Sequence, residues 1–298
     1  SSSTRKRVLS SCRALNYRLD HNIQDLILKT RNGYTRNVAL VVVGRNFADP
    51  VYARRVDALS SIVNDAYYQL SLVKLSGSES CIYDLPPLLR DARVDGILLT
   101  GELKESTISL VKSLDCKCVV LGNFCERLLS GLPNVRSNTN IRLASMMETL
   151  ISEGKKKIAF VAENPDNYET KNLFATYKEI LQENKLSFNP DICYFGHGEY
   201  SGVFTDLLPV MKEKSLPFDA IVCPDLRLAQ ELGYLLFGRF GLEKEIDVKV
   251  AVMRTSEFSP LPIPIVFSEE QGTFPTKTAF EYLLELISKS SKIKTITV

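Results

Sequence analysis

Polar and aromatic side chains collect where the apolar runs of this chain end. Asn46, Phe47 and Asp49 follow the run VALVVVG (38–44). Thr100 and Glu102 close VDGILLT (94–100), and Asn123 and Phe124 follow CVVLG (118–122). Asn164, Asp166, Asp225 and Arg254 occupy similar places further along. Carboxylates, amides and guanidinium groups so placed grip hydroxyls and anions. Phe47, Tyr52 and Phe124 offer ring faces on which a sugar could stack, although aromatic residues beside strand ends also serve as core. The chemistry implied is recognition of a small polar molecule rather than bond making. There is no GxGxxG, no phosphate-cradling glycine loop, no G-x-S-x-G and no carboxylate pair in a defensible register. No enzyme activity and no cofactor are therefore expected. His21 and His197 are the only histidines and stand far apart in sequence, so no metal site is expected either.

The elements that would carry these residues alternate regularly. Residues 38–44 read as a strand buried on both faces, and 51–67 have helical spacing of Val51, Val56, Leu59, Ile62, Val63 and Ala66. Strands are predicted at 69–75, 94–100 and 118–122, with helices at 84–92 and 104–114. The rhythm restarts with a helix over 139–153, ending at Gly154. Strands follow at 157–163, 191–196, 218–224 and 248–253, separated by helices at 170–185, 202–214 and 226–240. Residues 263–269 read as extended, 275–289 as a helix and 293–298 as a final strand. Repeated β-α units imply right-handed crossovers and parallel sheets. The expected fold class is α/β, with two similar doubly wound parallel-sheet lobes. The expected divisions are 1–36 as a separate head; 37–136 with 269–290 as an N-terminal lobe; and 137–268 with 291–298 as a C-terminal lobe. Crossings near 123–138 and 254–275 would leave a cleft for a ligand beyond the strand ends.

The 298 residues carry a net charge of +2 that is unevenly spread. Residues 1–36 hold eight Lys/Arg against two Asp/Glu, and the remainder 29 against 33. A basic head on a mildly acidic body is expected when only the head approaches a polyanion. Its stretch STRKRVLSSCRALNY, Ser3 to Tyr17, reads as a short basic helix. Seven cysteines without CxxC spacing read as reduced thiols. Without a membrane-length apolar window or a signal peptide, the expected location is cytoplasmic.

Four strings in order make the chain resemble the lactose-repressor-type (LacI/GalR) transcriptional regulators. TRKRVL (Thr4 to Leu9), followed by ALNY (Ala14 to Tyr17), resembles the last helix of that family's DNA-binding headpiece. VDGILL (Val94 to Leu99), LISEGKKKIAF (Leu150 to Phe160) and FDAIVCPD (Phe218 to Asp225) resemble three of its later segments. The resemblance implies a periplasmic-binding-protein-like core that binds an effector, forms a homodimer and controls operator DNA, most often as a repressor. It also implies that helix 4–16 is a remnant of a headpiece whose first two helices are missing here. That remnant is expected to fray, because Val8, Cys12 and Leu15 form a face without a core. Arg5 and Arg7 would face DNA. Leu26 aligns with the family's minor-groove wedge, in a hinge where Leu19, Gln24 and Asp25 depart from the usual residues. Candidate dimer helices are 51–67 and 275–289.

The candidate effector contacts are Phe47, Asp49, Tyr52, Asn123, Lys171, Asp225, Arg254 and Glu270, with Lys171 near the family's effector-binding position but out of register. The family's effector-binding Arg falls on Leu173, its late Asp on Arg254 and its Asp-Asn pair on Asn138-Thr139. An Asp-to-Arg exchange reverses the sign of a pocket. Arg254 and Lys171 would favour an acidic ligand such as a sugar phosphate or uronate. A neutral sugar, or no small ligand at all, remains open, and so does a periplasmic-type solute receptor of the same fold.

Overall fold

In the computed structural model, described for residues 2–14, 33–196, 200–213, 215–240, 248–253, 265–268, 275–288 and 295–297, the first apolar run becomes a strand with no exposed side chain. In chain order come α1 (Ser2–Ala14), β1 (Asn37–Val43), α2 (Pro50–Asp65) and β2 (Gln69–Leu75). Next are α3 (Pro87–Arg90), β3 (Gly96–Gly101), α4 (Glu105–Lys112), β4 (Lys117–Leu121), α5 (Glu126–Leu129) and β5 (Asn134–Arg136). The second series is α6 (Thr139–Ser152), β6 (Ile158–Ala162), α7 (Tyr168–Glu183), β7 (Cys193–Phe195), α8 (Tyr200–Met211), β8 (Ala220–Cys223) and α9 (Leu226–Phe240). It closes with β9 (Lys249–Met253), β10 (Ile265–Ser268), α10 (Pro275–Ile287) and β11 (Thr295–Thr297).

One sheet has the order β11-β5-β4-β3-β1-β2 and the other β10-β9-β8-β6-β7. The pairings are parallel, as helical crossovers require: Val38 lies against Leu70 and Gly96, and Ala159 against Ile221. The expected α/β class with two parallel sheets is therefore present. By its internal contacts the chain divides into two units. One holds residues 1–45, 57–119 and 280–292, and the other 46–56, 120–279 and 293–298.

Alternation along β6 shows how the second sheet makes two cores. Ala159 and Val161 join Leu207, Leu228, Leu232 and Val250 on one face. Ile158 and Phe160 join Leu143, Met147, Leu173 and Tyr177 on the other. Each such fully buried large side chain contributes about 1.5–3 kcal/mol. Tyr177 keeps its hydroxyl satisfied there by donating to the Ile158 carbonyl at 2.7 Å.

The third strand of each series opens with an aspartate that holds the entry to the first. The Asp95 carboxylate accepts from the Thr35 N–H (2.6 Å), the Thr35 hydroxyl (3.0 Å) and the Arg36 N–H (2.7 Å). Arg36 is left-handed there, with φ of 58°. The Asp219 carboxylate accepts from the Lys156 and Lys157 N–H groups at 2.9 and 3.0 Å. Gly96, the residue after Asp95, has no room for a side chain: a Cβ there would meet Leu283 Cδ1 at 2.7 Å.

Three predicted elements differ. The helix expected over 84–92 shrinks to a 3-10 turn at Ile82–Asp84 and the four-residue α3, because Pro86-Pro87 bars helix before it. The crossing near 123–138 contains α5 and the three-residue β5. And α1 is helical from Ser2 to Ala14 although Val8 is 56% exposed. Among the described residues no helix is long and apolar enough to cross a membrane.

Candidate functional site

At the end of β5 stands Arg136, and its support is a buried amide. Asn134 is completely buried, and its Nδ2 donates to the carbonyls of Val120 and Gly122 at 3.0 Å each. Its Oδ1 accepts from Arg136 Nε at 2.7 Å. The guanidinium's other contact is loose, Nη2 to Glu126 at 3.5 Å, with the Glu126 side chain 79% exposed. Two residues on, Asn138 caps α6, accepting from the Ile141 N–H at 3.4 Å, and the first turn of α6 contains no acid. Asn167 caps α7 in the same manner, accepting from the Glu169 N–H at 2.9 Å. Amides are favoured at such positions because they satisfy the first N–H groups of a helix.

These three strand and helix ends surround a polar cavity of about 250 Å³ within the second unit. Asn123, in the loop after β4, ties its edges together. Both protons of its amide are used, toward Glu169 Oε1 at 2.9 Å and Thr139 Oγ1 at 3.0 Å. Arg136, Asn138 and Asn140 line one side; Tyr168, Glu169 and Asn172 line another. The amides of Asn140 and Asn172 and the second oxygen of Glu169 have no protein partner among the described residues. Amides and a carboxylate suit hydroxyl groups, an arginine suits an oxyanion, and the half-exposed Tyr168 ring offers an apolar face. No nucleophile is paired with a base among these lining residues. Among the described residues no group of three His, Cys, Asp or Glu is placed to hold a metal ion.

Of the predicted effector residues that are described, only Asn123 lines this cavity. Phe47 is half-buried. Asp49 precedes Pro50 at the head of α2, its carbonyl accepting from Tyr52 and Ala53 N–H groups at 2.9 Å. Tyr52 carries the Arg55 guanidinium 5.5 Å over its ring. Lys171 is 59% exposed and pairs with Asp166 at 3.1 Å. Asp225 caps α9, accepting from the Leu228 N–H at 2.8 Å. Leu173, where the resemblance puts an effector arginine, is buried in the core. Arg254, Glu270 and Leu26 lie outside the described residues. Arg5 and Arg7 are on α1, where Arg7 is exposed. Sequence reading missed Arg136, Tyr168, Glu169, Asn172 and Asn140. The one usable signal was amide capping, Asn138 before an apolar-periodic helix and Asn167 before another.

No family model matches the chain. Over 200 residues it is 22% identical to the HTH-type transcriptional regulator MalR of Streptococcus pneumoniae, a match covering 65% of this chain and 58% of that protein. Among solved structures, the transcriptional regulator CelR in complex with cellobiose superimposes with a TM-score of 0.71 at 20% identity, covering 100% of this chain and 88% of CelR. A regulatory protein of the LacI family from Chloroflexus aggregans gives 0.71 at 16% identity, covering 88% of this chain and 95% of that one. A probable maltose operon repressor MalR from Staphylococcus gives 0.72 at 14% identity, covering 90% and 95%. The fold of these regulators is the fold of this chain.

Proposed function

We infer that the chain is the effector-sensing core of a LacI/GalR-type transcriptional regulator, and that it binds a small carbohydrate-like molecule in the cavity bounded by Asn123, Arg136 and Glu169. One observation carries most weight: a polar, amide-rich cavity lies beyond the carboxyl ends of β4 and β5, in a chain whose whole length follows the fold of a regulator solved with a sugar. The four family-like strings support the same class, and so does the basic α1. In this reading the chain works as a homodimer, represses in the absence or presence of its effector, and has no catalytic role. Effector and operator affinity are then linked: each changes the other by the same factor.

Two measurements test it. The intact gene is expected to encode a helix-turn-helix ahead of Ser1, and its product to bind DNA with an affinity that a sugar changes. An intact product that does not bind DNA at low salt would sink the regulator. The chain's own melting temperature is expected to rise by roughly 5–10 °C at a hundredfold excess over Kd of the right sugar.

A further inference from the structure

We propose that the molecule taken into this cavity carries an oxyanion, a carboxylate or a phosphate on a polyhydroxylated ring, and that Arg136 receives it, aimed by the buried Asn134. This presupposes the cavity's role as an effector site and adds the charge of the effector. A buried amide must have its hydrogen bonds, and Asn134 spends its nitrogen on two carbonyls and its oxygen on Arg136 Nε at 2.7 Å. The inner edge of the guanidinium is thereby fixed. Its outer edge is not: Nη1 has no protein partner among the described residues, and Nη2 has only the long contact to the exposed Glu126. An exposed pair at 3.5 Å competes weakly with a ligand oxyanion that takes both nitrogens of the fork.

A second observation gives the cavity a direction. The amino end of α6, with Asn138 and Asn140 in the lining, has no acid in its first turn, whereas α7 has Glu169 in its own. Positive potential from the helix end therefore adds to Arg136 on one side, and a carboxylate faces it from the other. A neutral sugar offers Arg136 no charge partner. A sugar acid uses both sides, with its hydroxyls toward Glu169 and Asn172 and its oxyanion toward Arg136. The cationic role expected of Lys171 passes to Arg136.

Calorimetry of this chain against D-glucuronate, D-galacturonate, D-glucose 6-phosphate, D-glucose, D-galactose and inorganic phosphate, at low and high salt, tests it. At least one sugar acid is expected to bind about 10–100-fold more tightly than its neutral counterpart, with the advantage shrinking in salt. Arg136→Gln is expected to remove that advantage, so that the sugar acid and its neutral counterpart bind alike. Arg136→Lys should keep part of it, having the charge without the fork. It also keeps the test standing, with the salt dependence of the parent, should the glutamine variant not fold. A neutral sugar bound as tightly as every acid, unaffected by Arg136→Gln, overturns the oxyanion and leaves the cavity a sugar site. Inorganic phosphate bound as tightly as the sugar acids overturns the polyhydroxylated ring. No binding by any of the six overturns both this inference and the effector reading beneath it.

Discussion

Replacing Gly96 by alanine sets two effects of opposite sign against each other. Glycine in a strand gives up more freedom on folding than alanine, so the change alone would stabilise by about 0.4–1 kcal/mol. Packing opposes it. The new methyl would lie 2.7 Å from Leu283 Cδ1 and 3.0 Å from its Cδ2 and Cγ, and Leu283 is completely buried. The leucine has no open space to swing into, and overpacking of this kind costs about 1–3 kcal/mol. Packing is expected to win, lowering the melting temperature by roughly 2–8 °C. The diagnostic experiment is a double-mutant cycle with Leu283→Ala, followed by urea unfolding. Leu283→Ala alone should cost about 2–5 kcal/mol. With both changes, the methyl added at position 96 occupies part of the space vacated, so the pair should cost at least about 1 kcal/mol less than the sum. Strict additivity, or a Gly96→Ala protein as stable as the parent, would refute the packing argument.

Three further outcomes are expected. Asp95→Ala removes three hydrogen bonds of 2.6–3.0 Å at the entry to β1 and should cost about 2–4 kcal/mol, against almost nothing for Asp115→Ala on the surface; equal melting of the two would argue against the tether. Burial pushes the Cys223 thiol well above the ordinary range, with Asp225 adding to the shift, and Cys118 is raised in the same direction. The native protein should therefore expose Cys81 to a disulfide reagent at pH 8 while Cys118 and Cys223 react only on unfolding. A group with a raised folded pKa stabilises below its unfolded value, so stability should decline as pH climbs past the ordinary thiol value of about 8.5. Rapid native labelling of Cys223 would contradict this.

Much of the fold was legible because its rules are local. Seven consecutive buried residues from Asn37 to Val43 can only be an interior strand, and the β-α rhythm dictates parallel pairing. The aspartates in VDGILL and FDAIVC have a mechanical explanation in the structure: each receives the backbone N–H groups that lead into the neighbouring first strand. The glycine of the first string is explained by Leu283, and Ala220 takes its place in the second. Positions decided by distant partners were not legible. β5 is three residues long, too short for a period of two to declare itself, so Arg136 was hidden in an apparent crossing. Lys171 does not line the cavity, and nothing in a linear reading shows that Asp166 stands 3.1 Å from it. Asp225 looked like a ligand contact for the same reason that it caps α9 well: a carboxylate beside free N–H groups serves either purpose.

The tether at Asp95 also decides how motion would leave the first unit. Thr35 and Arg36 are fastened to the start of β3 and run directly into β1, and both strands are interior to their sheet rather than at its margin. Thr35 and Arg36 are thus keyed to the interior of the sheet, like a shaft to its hub. A shift of that sheet would carry Thr35 and Arg36 with it as a change of position and angle.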